Sequence, residues 1–215
     1  MTTRNLRLVV TLLRTEGLRE VLNRLAFRFF RVHTFAVYRL RLTDALPVGR
    51  IPSGVELKEV DTEQLNALRK GRSDLPEYFF RDEIDNAAMR CWVGLKDGRL
   101  GFITWVSDRG SSDLVRLGDK EAELAYAYCL QELRGEHLTA NAFLVIMRTL
   151  FTEGITTILA VPHSENPAIN KSFRACGFTK IGSIRRYAFF TWPRTPVDYS
   201  RVADPVDDRE GARAH

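Results

Sequence analysis

Hydrophobic residues recur with two different periods along this chain, and the change of period separates helices from strands. Near the N-terminus, apolar residues follow helical spacing over 4–15 and 17–32, with Gly17 between the two runs. This pattern predicts two amphipathic helices. The apolar run 35–42 predicts a strand, and the Pro- and Gly-rich stretch 45–54 predicts a linker. We therefore expect a helical extension with one strand ahead of the main domain.

The clearest local signal lies in the middle of the chain, where two β-rich runs flank an Asp-Gly pair. Asp97 and Gly98 suit a type I′ turn, so 90–108 is predicted to be a β-hairpin. Ahead of it, Asp61 is typical of the residue that caps a helix. The alternation in 123–130 predicts a further strand.

The C-terminal half alternates between helix and strand patterns, which predicts an α/β fold with a mixed sheet covered by helices. The predicted domains are an extension over 1–50, a main domain over 51–192 and a polar, disordered tail over 193–215. The predicted elements after the hairpin are helix 136–152, strand 155–161, helix 166–176 and a strand or hairpin over 177–190.

The net charge of +5 is concentrated at the N-terminal end. Residues 1–41 hold nine arginines and two glutamates, a surplus of +7, so the remaining chain carries 5 − 7 = −2. The basic helices are predicted either to dock on the domain or on a second copy, or to bind anionic lipid. The near-neutral main domain argues against nucleic-acid binding.

Cysteine and histidine usage restricts the compartment and the chemistry. The three cysteines have no framework spacing, which indicates a reduced compartment. No CxxC or HExxH spacing occurs among them and the four histidines, so no metal site is predicted. The apolar segment 6–13 is too short to cross a bilayer, and no small-residue cleavage site follows it. We expect a cytoplasmic protein, peripheral to the membrane if its basic helices bind lipid.

A strand followed by an Arg-Gly turn and a helix carries the first chemical signal. The first N–H groups of a helix lack internal partners and lie at its positive end, where phosphate binds readily. Arg134 adds a charge, Gly135 allows close backbone approach, and Thr139 offers a hydroxyl. A second signal follows the next strand, where Asn166 precedes the pair Gly177-Phe178 by one helix length.

This order of signals resembles the GCN5-related N-acetyltransferase superfamily over roughly residues 55–190. The resemblance implies a mixed, mostly antiparallel sheet flanked by helices, whose strands part so that the pantetheine of acetyl-CoA or another acyl-CoA inserts. It also implies that the turn holds the pyrophosphate and that an oxyanion donor lies near the end of the preceding strand. The implied donor-binding residues are Cys129, Leu130, Leu133, Arg134, Gly135, Glu136, His137, Leu138, Thr139, Asn166 and Phe173.

Three residues depart from the pattern of the superfamily. His137 stands where glycine is usual, and its imidazole could crowd the phosphates or hydrogen-bond to them. Thr139 replaces glycine or alanine. Phe173 occupies the position where many members carry a tyrosine, the acid for the leaving thiolate, so another group or solvent must act, or catalysis is lost.

Four residues are candidates for the acid–base chemistry. The resemblance makes Glu123 the candidate base, against the alternative of an exposed edge charge. Tyr126 and Tyr128 either line the acceptor pocket, supply the missing proton or simply pack. His163 either acts as a base near neutral pH or caps its loop. Cys129 is interpreted as inert, and the aromatic run 78–80 as core or as an acceptor-side wall.

The predicted function is acetyl transfer from acetyl-CoA to a primary amine of a small molecule or a protein terminus. One alternative is transfer of a longer acyl chain from CoA or an acyl carrier protein at a membrane surface, suggested by the basic helices. Another is a CoA-binding module with impaired catalysis, suggested by the three departures. Docking of the basic helices on a second copy would give a homodimer.

Overall fold

A computed structural model describes residues 32–80, 89–107, 114–187 and 197–199. The chain divides into two compact units, one of residues 1–34 and 185–195 and the other of residues 35–184 and 196–215. The candidate functional residues all lie in the larger unit. The predicted N-terminal helices fall outside the described residues, apart from Val32, which begins a strand. No helix in the described ranges has the length and apolar character needed to cross a membrane.

A mixed seven-stranded sheet with the order β2-β3-β4-β6-β7-β1-β8 forms the centre of the fold. The strands of the described residues are β1 (Val32–Arg41), β2 (Val55–Val60), β3 (Met89–Lys96), β4 (Arg99–Ser107), β5 (Val115–Arg116), β6 (Glu121–Cys129), β7 (Thr157–Ala160), β8 (Thr179–Tyr187) and β9 (Val197–Asp198). Strands β5 and β9 form a separate two-stranded sheet. The helices are α1 (Thr62–Arg69), α2 (Leu138–Thr152) and α3 (Pro167–Ala175), with short 3-10 helices at Glu77–Phe80 and Gln131–Leu133. The β6/β7 pair is parallel, whereas β2/β3, β3/β4, β4/β6 and β1/β7 are antiparallel. The predicted α/β class with a mostly antiparallel sheet is confirmed.

Two local predictions are confirmed in detail. Asp97 and Gly98 have positive φ angles of 51° and 75°, as a type I′ turn requires, and join β3 to β4. Asp61 caps α1, accepting a hydrogen bond from the Gln64 backbone N–H at 2.8 Å, while Gln64 accepts one in return from the Asp61 N–H.

Helices cover both faces of the sheet, because successive side chains of a strand point to opposite sides. Trp92 of β3 packs in a cluster with Phe143 of α2, whereas the adjacent Val93 packs in a second cluster with Leu65 of α1. All four side chains are buried. Helices α2 and α3 therefore lie on one face, and α1 lies on the other.

Strand β1 occupies an interior position, between β7 and β8. Tyr38 pairs with Ala160 at the end of β7. Ala36, Val37 and Tyr38 are all buried. The strand predicted within the N-terminal extension is thus an interior strand of this sheet, next to the edge strand β8.

Residues 197–199 are ordered, which corrects the prediction of a disordered tail for these three positions. Val197 and Asp198 form β9, which pairs in parallel with β5. Tyr199 is 9% exposed, and its carbonyl accepts a hydrogen bond from Arg39 Nη1 at 3.2 Å. The other residues of the predicted tail lie outside the described part of the chain.

Candidate functional site

Strands β6 and β7 pair over only half the length of β6. Their register runs from Glu121 opposite Thr157 to Leu124 opposite Ala160, where β7 ends. The following chain instead bonds to β1, since Pro162 O accepts from the Ala36 N–H at 3.0 Å. Within the described residues, 125–129 of β6 therefore have a strand partner only on the β4 side. The sheet opens into a gap beside the second half of β6.

A β-bulge lies at the mouth of this gap. Trp105 of β4 pairs with Ala125 and Ile103 pairs with Tyr128, so Tyr126 and Ala127 together oppose a single residue of β4. Tyr126 has a φ of 49°, which is rare for a residue with a bulky side chain. A bulge of this kind bends the strand and ends its regular pairing. It therefore turns the second half of β6 away from the line of β7.

Contacts with β4 anchor the connection from β6 to α2. The Leu130 N–H donates to Gly101 O at 2.8 Å. Leu133 packs so closely on Gly101 that a Cβ at position 101 would overlap Leu133 Cδ1 unless that side chain shifted. Glycine at position 101 therefore permits this close approach. Arg134 follows, with its Nε donating to Cys129 O at 3.1 Å.

The turn after Arg134 presents an open helix N-terminus. Gly135 and His137 both have positive φ angles, 92° and 55°, and His137 is the N-cap of α2. The His137 side chain makes no capping hydrogen bond and is exposed. The first backbone N–H to reach His137 O is that of Asn141, at 3.0 Å, so the preceding N–H groups lack an intrahelical acceptor. This end of α2 can bind an anion through those groups and the helix dipole.

Cys129 lies between the strand end and this turn. Burial raises the pKa of its thiol, against the opposing effects of Arg134 and the Thr139 hydroxyl. A thiol with a raised pKa is a poor nucleophile at neutral pH. The predicted inertness of Cys129 is consistent with this environment.

The second predicted motif forms a capped helix beyond the end of β7. Asn166 Oδ1 accepts a hydrogen bond from the Ile169 N–H at 3.3 Å, and Pro167 occupies the first helical turn. The buried Asn170 side chain donates to His163 O at 3.1 Å and to Asn166 O at 2.6 Å. In this geometry Asn166 holds the start of α3.

His163 contributes to the same loop. Its Nδ1 accepts a hydrogen bond from the Glu165 N–H at 3.3 Å, and its ring contacts the Phe35 ring edge-on with centroids 5.3 Å apart. These contacts fit the loop-capping interpretation of His163. Its role as a base stays a prediction.

Phe173 belongs to the core between α2, α3 and β1. Its ring stacks on Phe143 at 4.9 Å, lies 6.0 Å from the Tyr38 ring and meets Phe178 edge-on at 5.0 Å. Gly177, at a φ of 88°, ends the helix so that Phe178 turns back onto this cluster. The spacing from Asn166 to Gly177-Phe178 therefore corresponds to a helix with a cap at each end.

Glu123 is buried, at 6% exposure, and is not the exposed edge charge considered above. It pairs with Ser107 on one side and Leu159 on the other, one residue before the last β6 position paired to β7. A carboxylate here stands close to the opening of the gap. Its role as a base stays a prediction.

The aromatic run 78–80 contributes mainly to packing. Phe79 is fully buried, and Tyr78 stacks on Tyr128 at 4.5 Å. Phe80 is 41% exposed and lies under the Arg69 guanidinium, 5.7 Å from ring centroid to Cζ. Phe79 is thus a core residue and the partly buried Tyr78 packs against the same core, in line with one interpretation of the sequence.

The structure brings most of the predicted residues to one place. Tyr126, Cys129, Leu130 and the stretch 133–139 follow one another from the bulge to the helix N-terminus, and Glu123 precedes them on the same strand. His163 and Asn166 lie beyond the end of β7, and Phe173 is in the core. Sequence reasoning missed the bulge, because the apolar alternation of β6 gives no sign of an extra residue. Among the described residues, no cluster of three or more His, Cys, Asp or Glu side chains could hold a metal ion.

Similarity to known proteins is found at the level of structure. A tandem GNAT protein from the clavulanic acid biosynthesis pathway matches with a TM-score of 0.52 and 14% identity, over 78% of this chain and 56% of that one. The chain has the GCN5-related N-acetyltransferase (GNAT) fold. A GCN5-related N-acetyltransferase-like protein from Streptococcus suis matches with a TM-score of 0.50 and 10% identity, over 80% of this chain and 67% of that one.

The GNAT fold of this chain is accompanied by little sequence similarity. A GCN5-related N-acetyltransferase from Kribbella flavida is 19% identical, with a TM-score of 0.47, over 78% of this chain and 62% of that one. The chain thus spans about three fifths of the length of that protein. No family model matches the sequence, and no curated protein matches it.

Proposed function

We propose that this protein is an acyl-CoA-dependent N-acyltransferase that transfers an acetyl group from acetyl-CoA to a primary amine. The observation that carries the proposal is one continuous feature: β6 parts from β7 after Leu124, and the freed strand leads directly into the open N-terminus of α2. A ligand with a diphosphate and an extended polar arm matches both halves of this feature. The GNAT fold supports the same assignment.

The diphosphate would bind the free N–H groups at the start of α2, with Arg134 adding a fixed charge. The pantetheine would lie along 125–129, pairing with the backbone groups of β6 that face the gap, as an added strand does. Five strand residues extend about 16 Å, at about 3.3 Å per residue. This placement brings the thioester to the point where β6 and β7 separate.

The reaction requires a neutral amine, because a protonated amine has no lone pair with which to attack. The amine nitrogen attacks the thioester carbonyl, a backbone N–H of β6 at the point where β6 and β7 separate stabilises the oxyanion, and the C–S bond breaks. Glu123 would take the proton from the amine through water, since it lies buried beside the gap. The acceptor would be an amino sugar, an amino acid or a protein terminus.

Isothermal titration calorimetry with acetyl-CoA tests the proposal. Substitution of the two glycines that flank α2 provides a matched pair of variants. Gly135 and Gly154 flank opposite ends of the helix, with φ angles of 92° and 94°, and an added Cβ meets no atom within 4 Å at either position. Both Gly135→Ala and Gly154→Ala should be destabilised by similar backbone strain. Only Gly135→Ala should weaken acetyl-CoA binding, by about tenfold, because it alone distorts the anion-binding turn.

Two results would contradict the proposed function. The first is the absence of any binding or thermal stabilisation by wild-type protein at millimolar acetyl-CoA. The second is equal weakening of acetyl-CoA binding by the two alanine variants, which would show that the turn has no specific part in binding.

Transfer of a longer acyl chain at a membrane surface is the second candidate, favoured by the surplus of +7 charges in residues 1–41. Rates with CoA thioesters of increasing chain length, and binding to anionic vesicles with and without residues 1–31, distinguish it from acetyl transfer. Higher rates with long chains and charge-dependent vesicle binding would favour it.

An impaired CoA-binding module is the third candidate. His137 takes the left-handed conformation that glycine adopts readily, so the substitution leaves the turn in a form that can accept phosphate. Release of the CoA thiol from acetyl-CoA in the presence of a primary amine would exclude this candidate.

A further inference from the structure

Backbone strain is concentrated at the two ends of the proposed donor site. Among the described residues, the non-glycine residues with positive φ are Asp97, Tyr126 and His137. Asp97 lies in a type I′ turn, which requires this conformation. Tyr126 and His137 lie instead at the mouth of the gap and at the start of α2.

Tyr126 is the less expected of these two. Asparagine, aspartate and histidine enter the left-handed region more readily than other residues with a Cβ, whereas a bulky aromatic residue there is an outlier. Glycine would form the same bulge without strain. The sequence thus keeps an aromatic side chain at a position where the backbone disfavours one. Strain of this kind is found where the surrounding structure and the function demand the residue.

The position of Tyr126 indicates what its side chain does. It stands two residues beyond Leu124, the last residue of β6 paired to β7, and its side chain is partly exposed, at 36%. The thioester of the proposed donor would reach this point of the gap. Phe173 has no hydroxyl, and the Tyr38 ring beside it is 2% exposed and packed in the core.

We infer that the Tyr126 phenol is a catalytic residue that protonates the departing thiolate; this inference rests on the proposed function. As the C–S bond breaks, the sulfur takes the phenol proton and leaves as the free CoA thiol. The proton lost by the amine passes through water to Glu123 and then returns to the phenolate, so no proton is gained or lost. The products are the N-acylated amine and CoA.

Tyr126→Phe tests this role, because it removes only the hydroxyl. The expected result is a fall of about hundredfold in kcat for CoA thiol release with a primary amine, at the lower end of what general acid–base catalysis contributes. The acetyl-CoA Kd and the melting temperature should stay unchanged. Tyr199→Phe is the matched control, since it removes a phenol from a buried residue that packs on Gly182, and its kcat should equal that of the wild type.

Glycine and alanine at the same position test the strain. Both lack the ring, but only glycine adopts a φ near 49° without penalty, so Tyr126→Gly should melt about 2–4 °C above Tyr126→Ala. Both should lose at least as much kcat as Tyr126→Phe. Equal melting temperatures would refute the strained conformation on which the inference depends.

The remaining outcomes separate this inference from the proposed function. Lack of acetyl-CoA binding by the wild type overturns both. A fall in kcat of less than about fivefold in Tyr126→Phe, or a proportional loss of acetyl-CoA affinity, overturns only the catalytic role of Tyr126. Binding without turnover of any amine overturns that role as well and leaves a CoA-binding protein.

Discussion

The N-termini of α2 and α3 differ in whether an N-cap side chain accepts a hydrogen bond from one of their free N–H groups. At α3, the Asn166 side chain accepts a hydrogen bond from the Ile169 N–H, as Asp61 does for Gln64 at α1. At α2, His137 occupies the N-cap position, but its side chain makes no capping hydrogen bond. A capping side chain typically contributes about 1 kcal/mol to stability. The helix that leaves this contribution unused is the one that begins at the gap in the sheet.

This contrast indicates that an open helix end is a property of the site and not of poor packing. Helices α2 and α3 share one aromatic core, in which Phe143 and Phe173 stack with an interplanar angle of 3°. Both helices thus pack on the same hydrophobic core. The difference between them lies in the residue that faces the first free N–H groups.

The largest expected effect tests this shared support. Phe173→Ala should lower the free energy of unfolding by about 3–5 kcal/mol, because it leaves a cavity among Phe143, Tyr38 and Phe178. Urea denaturation followed by circular dichroism measures the change. Phe80→Ala is the control, since Phe80 is 41% exposed and should cost less than about 1 kcal/mol. Similar costs for the two variants would show that the aromatic cluster does not tie the helices together.

A smaller effect is expected from removal of the side-chain cap at the N-terminus of α3. Asn166→Ala removes the side-chain acceptor for the Ile169 N–H and should cost about 1 kcal/mol. Asn166→Asp keeps an acceptor oxygen at the same position and should retain most of this stability. Thermal unfolding of both variants makes the comparison. Equal destabilisation of the two variants would show that the side-chain acceptor is not what stabilises the helix. No loss of stability in either variant would leave the predicted contact with the donor as the better explanation for this residue.

Sequence patterns were sufficient to predict those features of the fold that depend on residues close together in the chain. The hairpin follows from Asp97 and Gly98, and the start of α1 follows from Asp61, since turns and caps are made by residues a few positions apart. The place of the proposed phosphate-binding turn also follows from a strand, an Arg-Gly pair and a helix in succession.

Long-range pairing could not be predicted in the same way. The run 35–42 indicates a strand but does not indicate that Tyr38 pairs with Ala160, about 120 residues away in sequence. The bulge at Tyr126 and Ala127 depends on the register with β4, and the burial of Glu123 depends on neighbours in β4 and β7. These are the features that turn a strand and a helix into a candidate active site.

The smallest expected effect concerns the C-terminal end of α2, where the C-cap residue forms an ion pair. Glu153, the C-cap residue, accepts a hydrogen bond from Arg90 Nη2 at 3.0 Å, and Arg90 also binds Glu59 at 2.7 Å. A carboxylate is unfavourable at the negative end of a helix dipole, and Arg90 offsets this. Arg90 holds the pKa of Glu153 below its ordinary value of 4.5.

The lowered pKa fixes the sign of the pH dependence. Because the folded state holds the proton less tightly than the unfolded state, the stabilisation is complete above about pH 4.5 and is lost as the pH falls through the lower folded pKa. Solvent screening limits the effect to about 0.5 kcal/mol, since the Glu153 side chain is 42% exposed. Denaturation of the wild type and Glu153→Gln between pH 6 and pH 3 should show curves that converge at low pH, and about 1 M salt should narrow their separation at pH 6. Parallel curves would mean that this ion pair does not stabilise the C-terminal end of α2, which the backbone hydrogen bonds from Gly154 and Ile155 would then close without it.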